Sequence, residues 1–152
     1  MNKEYTMRDI AEYVISHFPD SCLAYNDKNY HYNDDELIIE LLDFFKYEII
    51  GLCSCGDPNM CMKDIRDYLE ILNTYDIECT TLEFKQSYKN KQFSFKQRFK
   101  CESMFENSLL LFMAYIIDKK ELTEHDGSIG SAWITDLGRM CLQVLKKADL
   151  EE

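Results

Sequence analysis

Between Asn33 and Gly51 the chain places Leu37, Ile38, Leu41, Leu42, Phe44, Phe45 and Ile49 so that they cover more than half of a helix's circumference. A helix with so wide an apolar face cannot lie on a surface with one side in water; other elements have to cover it. Asn33 or Asp34 is placed to cap its start through a side-chain oxygen, and Gly51 to end it in a left-handed conformation that glycine adopts without strain. A second nearly all-round apolar run, Leu109, Leu110, Phe112, Met113, Ile116 and Ile117, ends near Lys119-Lys120. The helices at 37 to 50 and 106 to 118 are therefore expected to form the centre of the fold.

The flanking segments read as amphipathic helices around that centre. Thr6 followed by Asp9 opens a helix to about His17, with Ile10, Val14 and His17 or Phe18 on one face, and Pro19 ends it. Asp20 to Asn33 is polar and tyrosine-rich with no period, which predicts a loop with at most one short strand. Asp57-Pro58 pre-sets another helix start, and Met62, Ile65, Tyr68 or Leu69, and Leu72 continue it to about Tyr75. Near the end, Leu122 to Thr135 reads as a hairpin, with Gly127 and Gly130 in its turn and Thr135 capping a last helix that buries Leu137, Cys141, Val144 and Leu145. The expected fold is mainly α: a single domain over 1–152, a bundle of about six helices with one small C-terminal β-hairpin. Its end resembles the helix-hairpin-helix of a winged-helix module, with the hairpin expected to fold over the core through Trp133 or to present its tip to a partner.

Charge narrows the function classes. The formal net charge is −11, which opposes non-specific attraction to nucleic acid or to anionic lipid and suits a basic protein partner. Residues 1 to 50 hold eleven acids and four bases. Within them, Tyr25, Tyr30 and Tyr32 beside Asp34, Asp35 and Glu36 have the composition of a partner-binding surface. The longest apolar run, Leu109 to Ile117, covers about half of a membrane span, and the first residues lack a charged-then-apolar signal pattern, so a cytosolic location without membrane contact is expected.

The segment Phe84 to Lys100 reverses the trend, with six bases and no acid. Its lysines interleave with Phe84, Tyr88, Phe95 and Phe99, which could contact phosphates and stack bases. The rings fall at spacings of four, seven and four, which instead places them on one buried helical face with the lysines in water. A nucleic-acid-binding or regulatory module using 84–100 and the 122–135 hairpin is thus the alternative to a protein-binding role. A winged-helix reader needs a basic recognition helix before its wing, and here the preceding helix is apolar.

Seven cysteines without a secretory signal argue against a disulfide framework and for mostly reduced, buried thiols, Cys141 among them as a small core side chain. Cys53, Cys55 and Cys61 lie within nine residues and could become thiolate ligands of a structural zinc, with His125 or Cys79 as the fourth. The first two are separated by one residue rather than two, a spacing that favours free thiols. No other cofactor is expected. His125, Asp126 and Ser128 hold the residue types of a hydrolase triad, but neighbours on one turn cannot converge as nucleophile, base and orienter. Asp34-Asp35-Glu36 at a helix start is explained by the dipole. The sequence thus presents no catalytic constellation, and an enzyme is not expected.

The segments Gly51-Leu52-Cys53-Ser54-Cys55-Gly56-Asp57-Pro58 and Leu122-Thr123-Glu124-His125-Asp126-Gly127-Ser128-Ile129-Gly130-Ser131-Ala132-Trp133-Ile134-Thr135 resemble those of small uncharacterised phage and prophage proteins. That group carries C-x-C-G-x-P early, and T-E-H-G-S-S followed by W-L-T-x-x-G late. This chain departs from it at Asp126, where the group has glycine directly after the histidine, and at Ile134, where it has leucine. The resemblance covers about a third of the chain and carries no catalytic residues. It implies a viral or mobile-element origin. The expected function is that of a non-enzymatic acidic interaction protein binding a host protein, in its sharper form inhibiting a basic, nucleic-acid-binding defence or regulatory factor.

Overall fold

The computed structural model describes residues 4–26, 31–51, 62–74, 117–125, 132–148 and 150. Helix α1 spans Met7–His17. Thr6 is its N-cap and closes a capping box, its hydroxyl accepting from the Asp9 amide at 3.0 Å while the Asp9 carboxylate accepts from the Thr6 amide at 3.1 Å. Met7, Ile10, Ala11 and Val14 are buried. Of the two candidates that follow, Phe18 turns inward and packs edge-on against Phe44, centroids 5.2 Å apart, while His17 is exposed.

The segment expected to be a loop or short strand after Asp20 instead opens with a one-turn helix, α2, Cys22–Tyr25. A short polar motif without period produced it: Ser21 accepts from the Ala24 amide at 3.2 Å, and Glu48 takes the Cys22 amide at 3.0 Å.

Asn33, rather than Asp34, caps α3, Asp34–Asp43, in a second capping box with Glu36. The helix does not continue as α to Ile50. From Phe44 to Ile49 it widens into a π-helical segment, and the Ile50 amide bonds the Phe45 carbonyl five residues back. In an unbroken α-helix, Glu48 would fall on the inward stripe of Leu37, Leu41 and Phe44. The wider turn delays the rotation, so that Phe45 and Ile49 face the core and Glu48 reaches water and the start of α2. Gly51, at φ +83, ends the segment as expected.

Helix α4, Met62–Asn73, buries Met62, Ile65, Leu69 and Leu72 together with Tyr68 and Ile71. The Asp57-Pro58 start expected for it, the 84–100 segment and the bulk of the 106–118 helix lie outside the described residues. Ile117, in a helical stretch at 117–119, is fully buried. Strands β1, Thr123–His125, and β2, Ala132–Ile134, pair antiparallel, with Thr123 opposite Ile134 and Glu124 opposite Trp133. Alternation along β2 decides which side faces in. Ile134 and Thr123 are buried and Ala132 packs on the core, so Trp133 stands on the opposite face; the hairpin meets the core through Ile134, not through Trp133.

Helix α5, Asp136–Lys147, follows at once. Thr135 caps it, accepting from the Gly138 amide at 3.0 Å and donating to the Glu121 carbonyl at 2.6 Å. Leu137, Cys141, Val144 and Leu145 are buried as expected, with Met140 and Leu142. The core is one cluster: α3 packs on α1 and α5, and α4 on α5 and β2.

At Gly138 a Cβ would collide with the Leu122 carbonyl oxygen and lie 2.7 Å from Ile134 Cγ1. Alanine normally gains about 1 kcal/mol over glycine inside a helix. Here Gly138→Ala is expected to reverse that sign and destabilise the fold by about 2–3 kcal/mol, read as a lower urea midpoint with unchanged slope.

Candidate functional site

The residues expected to meet a partner are only partly brought together. Tyr25 is 70% exposed at the end of α2, its hydroxyl donating to Asp20 over 3.4 Å. Tyr32 is half-buried and packed on the core, its hydroxyl accepting from Asn26 Nδ2 at 2.9 Å and its carbonyl from Arg8 Nη2 at 2.8 Å. It is a structural tie between α1 and the start of α3, not an exposed ring. Tyr30 lies outside the described residues.

Asp34, Asp35 and Glu36 are all exposed in the first turn of α3, where free backbone amides favour carboxylates. One turn on, the same outward face carries Ile39, 61% exposed, and then Asp43. Tyr47 is exposed beyond them, with the Lys46 ammonium 5.4 Å from its ring centroid. Asp35, Ile39 and Asp43 share one stripe by their spacing of four. Ile39 stands outside the apolar face that the spacing predicts for this helix, two residues from both Leu37 and Leu41 and so on the opposite side, and no sequence signal marks the widening of the π segment.

A second feature escaped sequence reading entirely. An open cleft of about 1050 Å³ runs between the C-terminal half of α1 and the hairpin with the start of α5. One wall is the stacked pair Tyr13 and His17, centroids 3.9 Å apart and planes 15° off parallel. The other carries Trp133, Glu121, Glu124 and Asp136. Trp133 Nε1 donates to Glu124 Oε2 at 3.0 Å, which fixes the indole across the strand pair. Arg139 pairs with Asp136 at 3.2 Å, and its buried Nε finds no acceptor among the described residues. Behind this wall Tyr5 ties the N-terminal segment to α5, its amide donating to Gln143 Oε1 at 2.7 Å. Burial, and then the Asp136 carboxylate, push its phenol above the ordinary tyrosine range.

Of the residues expected to hold zinc, Cys53, Cys55, Cys61 and Cys79 and the side chain of His125 lie outside the described residues, as do Asp126 and Ser128. Among the described residues no three histidine, cysteine or acidic side chains gather in a way that could hold a metal ion. No described helix is long and apolar enough to cross a membrane. Cys141 is fully buried, as expected of a core side chain, and burial drives its thiol far above the usual range. Cys22 differs from the expectation of buried thiols: it is exposed, and the Glu48 carboxylate beside it raises its pKa, with a smaller push from Glu40.

Comparison of the chain with family models, with curated proteins and with solved structures finds no match.

The two thiols differ in a way that alkylation reads directly. Iodoacetamide labelling of the native protein, followed by peptide mapping, is expected to modify Cys22 and spare Cys141. Because Glu48 favours the neutral thiol, Glu48→Gln is expected to move the pH profile of Cys22 labelling to lower pH; an unmoved profile would remove the assigned cause.

Proposed function

We propose that this chain is a non-enzymatic acidic interaction protein of phage or prophage origin, whose α3 face docks on a basic surface of a host protein that itself binds nucleic acid. The origin follows from the resemblance of its cysteine turn and hairpin to small phage proteins. The observation that carries the docking role is Ile39, a large aliphatic side chain 61% exposed between Asp35 and Asp43 on a capped helix. An apolar contact amid charges of one sign matches the anatomy of a protein interface, in which the apolar centre supplies affinity and the charged surround supplies steering and choice of partner. The overall charge of −11 extends that attraction over the whole molecule. Tyr25 and Tyr47 add ring surface at the margins. A partner built to hold phosphates presents the complementary field, and occupying that surface displaces its nucleic acid.

Capture from a bacterial host lysate with the full chain as bait tests the reading. The expected catch is a basic nucleic-acid-binding protein, released by added DNA and by salt. Ile39→Lys and Asp35→Asn, both at exposed positions where folding stability changes by less than about 0.5 kcal/mol, are expected to weaken that capture at least about tenfold. Capture unaffected by both substitutions would overturn the docking face.

A further inference from the structure

We propose that the cleft between α1 and the hairpin receives the guanidinium of an arginine carried by an extended basic polypeptide. The proposal deepens the acidic-binder reading by giving the partner's cation a seat, and takes from that reading only the source of the arginine.

The chemistry of the cleft selects a planar organic cation. Its lining is rich in aromatic rings, the Tyr13–His17 stack from α1 and Trp133 from the hairpin. Such rings attract cations through their faces, and a guanidinium can also stack on them. Carboxylates stand beside the rings. Arg139 is already committed to Asp136, so Glu121 and Glu124 leave the cleft anionic. The Glu121 carboxylate makes no hydrogen bond or ion pair among the described residues. Glu124 spends one oxygen on the indole N–H, which holds both the ring and its second oxygen in place.

Glu121 closes the helical stretch before the hairpin: its φ of +65, its amide on the Asp118 carbonyl and the Leu122 amide on the Ile117 carbonyl are the left-handed end of that helix, and they set its carboxylate at the edge of the cleft. Ile134 and Leu137 line its floor and offer apolar surface to an arginine's methylene stem. Arginine fits better than lysine because its fork matches a carboxylate in two bonds and it sheds water more readily. The Arg139–Asp136 pair already shows a guanidinium held by a carboxylate in this cleft. A volume of about 1050 Å³ exceeds one side chain and leaves room for flanking backbone, which favours a polypeptide over a small amine.

Trp133 is the chain's one tryptophan, so its emission reports on the cleft alone. Titrating the full-length protein with acetyl-Gly-Arg-Gly-Arg-Gly-amide is expected to change that emission saturably. Replacing both arginines of the peptide by neutral citrulline, or Glu124→Gln in the protein, is expected to weaken binding about tenfold or more. Glu40→Gln removes the same charge from α3, outside both the cleft and the docking face, and is expected to leave it unchanged within about twofold, the size of a screened long-range effect. The proposal fails if emission does not respond saturably, if the citrulline peptide binds equally, or if Glu124→Gln and Glu40→Gln weaken binding alike. A saturable response together with lysate capture that ignores the α3 substitutions would keep the arginine seat and discard the α3 face.

Discussion

The hydroxyl of Thr135 makes two bonds at a junction where three elements meet. It donates to the Glu121 carbonyl and accepts from the first turn of α5, while the Thr135 amide bonds the Leu122 carbonyl at 3.1 Å. The turn it grips is itself bonded back to the helical stretch before it, Leu122 to Ile117 at 3.1 Å and Glu121 to Asp118 at 3.0 Å. With no side chain at Gly138, α5 lies directly on that turn. The direction of α5, the pairing of β2 with β1 and the position of Trp133 are consequences of one close approach. Backbone groups that would otherwise be orphaned at a helix start and at a turn satisfy each other there.

On the other side of the core the π segment solves a different problem. Phe44, Phe45, Ile49 and Ile50 are too many large apolar side chains in too short a stretch for a regular helix to bury. Widening the turn brings them to one side, where Phe44 sits edge-on between Phe18 and Phe45. The same widening releases Glu48 to hold the start of α2. A packing adjustment inside the molecule thereby organises the polar edge around Tyr25 and leaves α3 presenting acids and Ile39 to water.

Where local chemistry alone decides, the sequence was readable. Thr6 with Asp9, Asn33 with Glu36, Gly51 and Thr135 each announce a boundary through a hydrogen bond spanning three residues or through a single backbone conformation. The buried faces of α4 and α5 followed from period alone. Missed were features set by distant neighbours. The π turn answers to Phe18 and the core, α2 depends on Glu48 reaching back across the loop, and the inward side of the hairpin was decided by Ile134 docking on α4. The candidate surfaces divide likewise: the acids of α3 were visible in one dimension, whereas the cleft joins residues 13–18 to residues 121–139 and exists only in three.

That last separation carries its own consequence. Bringing residues 13–18 against residues 121–139 closes a loop of about a hundred residues, a contact of long sequence range whose closure carries an entropic cost. The seat proposed for arginine therefore requires both walls at once: a chain lacking residues 121–139 keeps the acids of α3 in its sequence but cannot form the cleft.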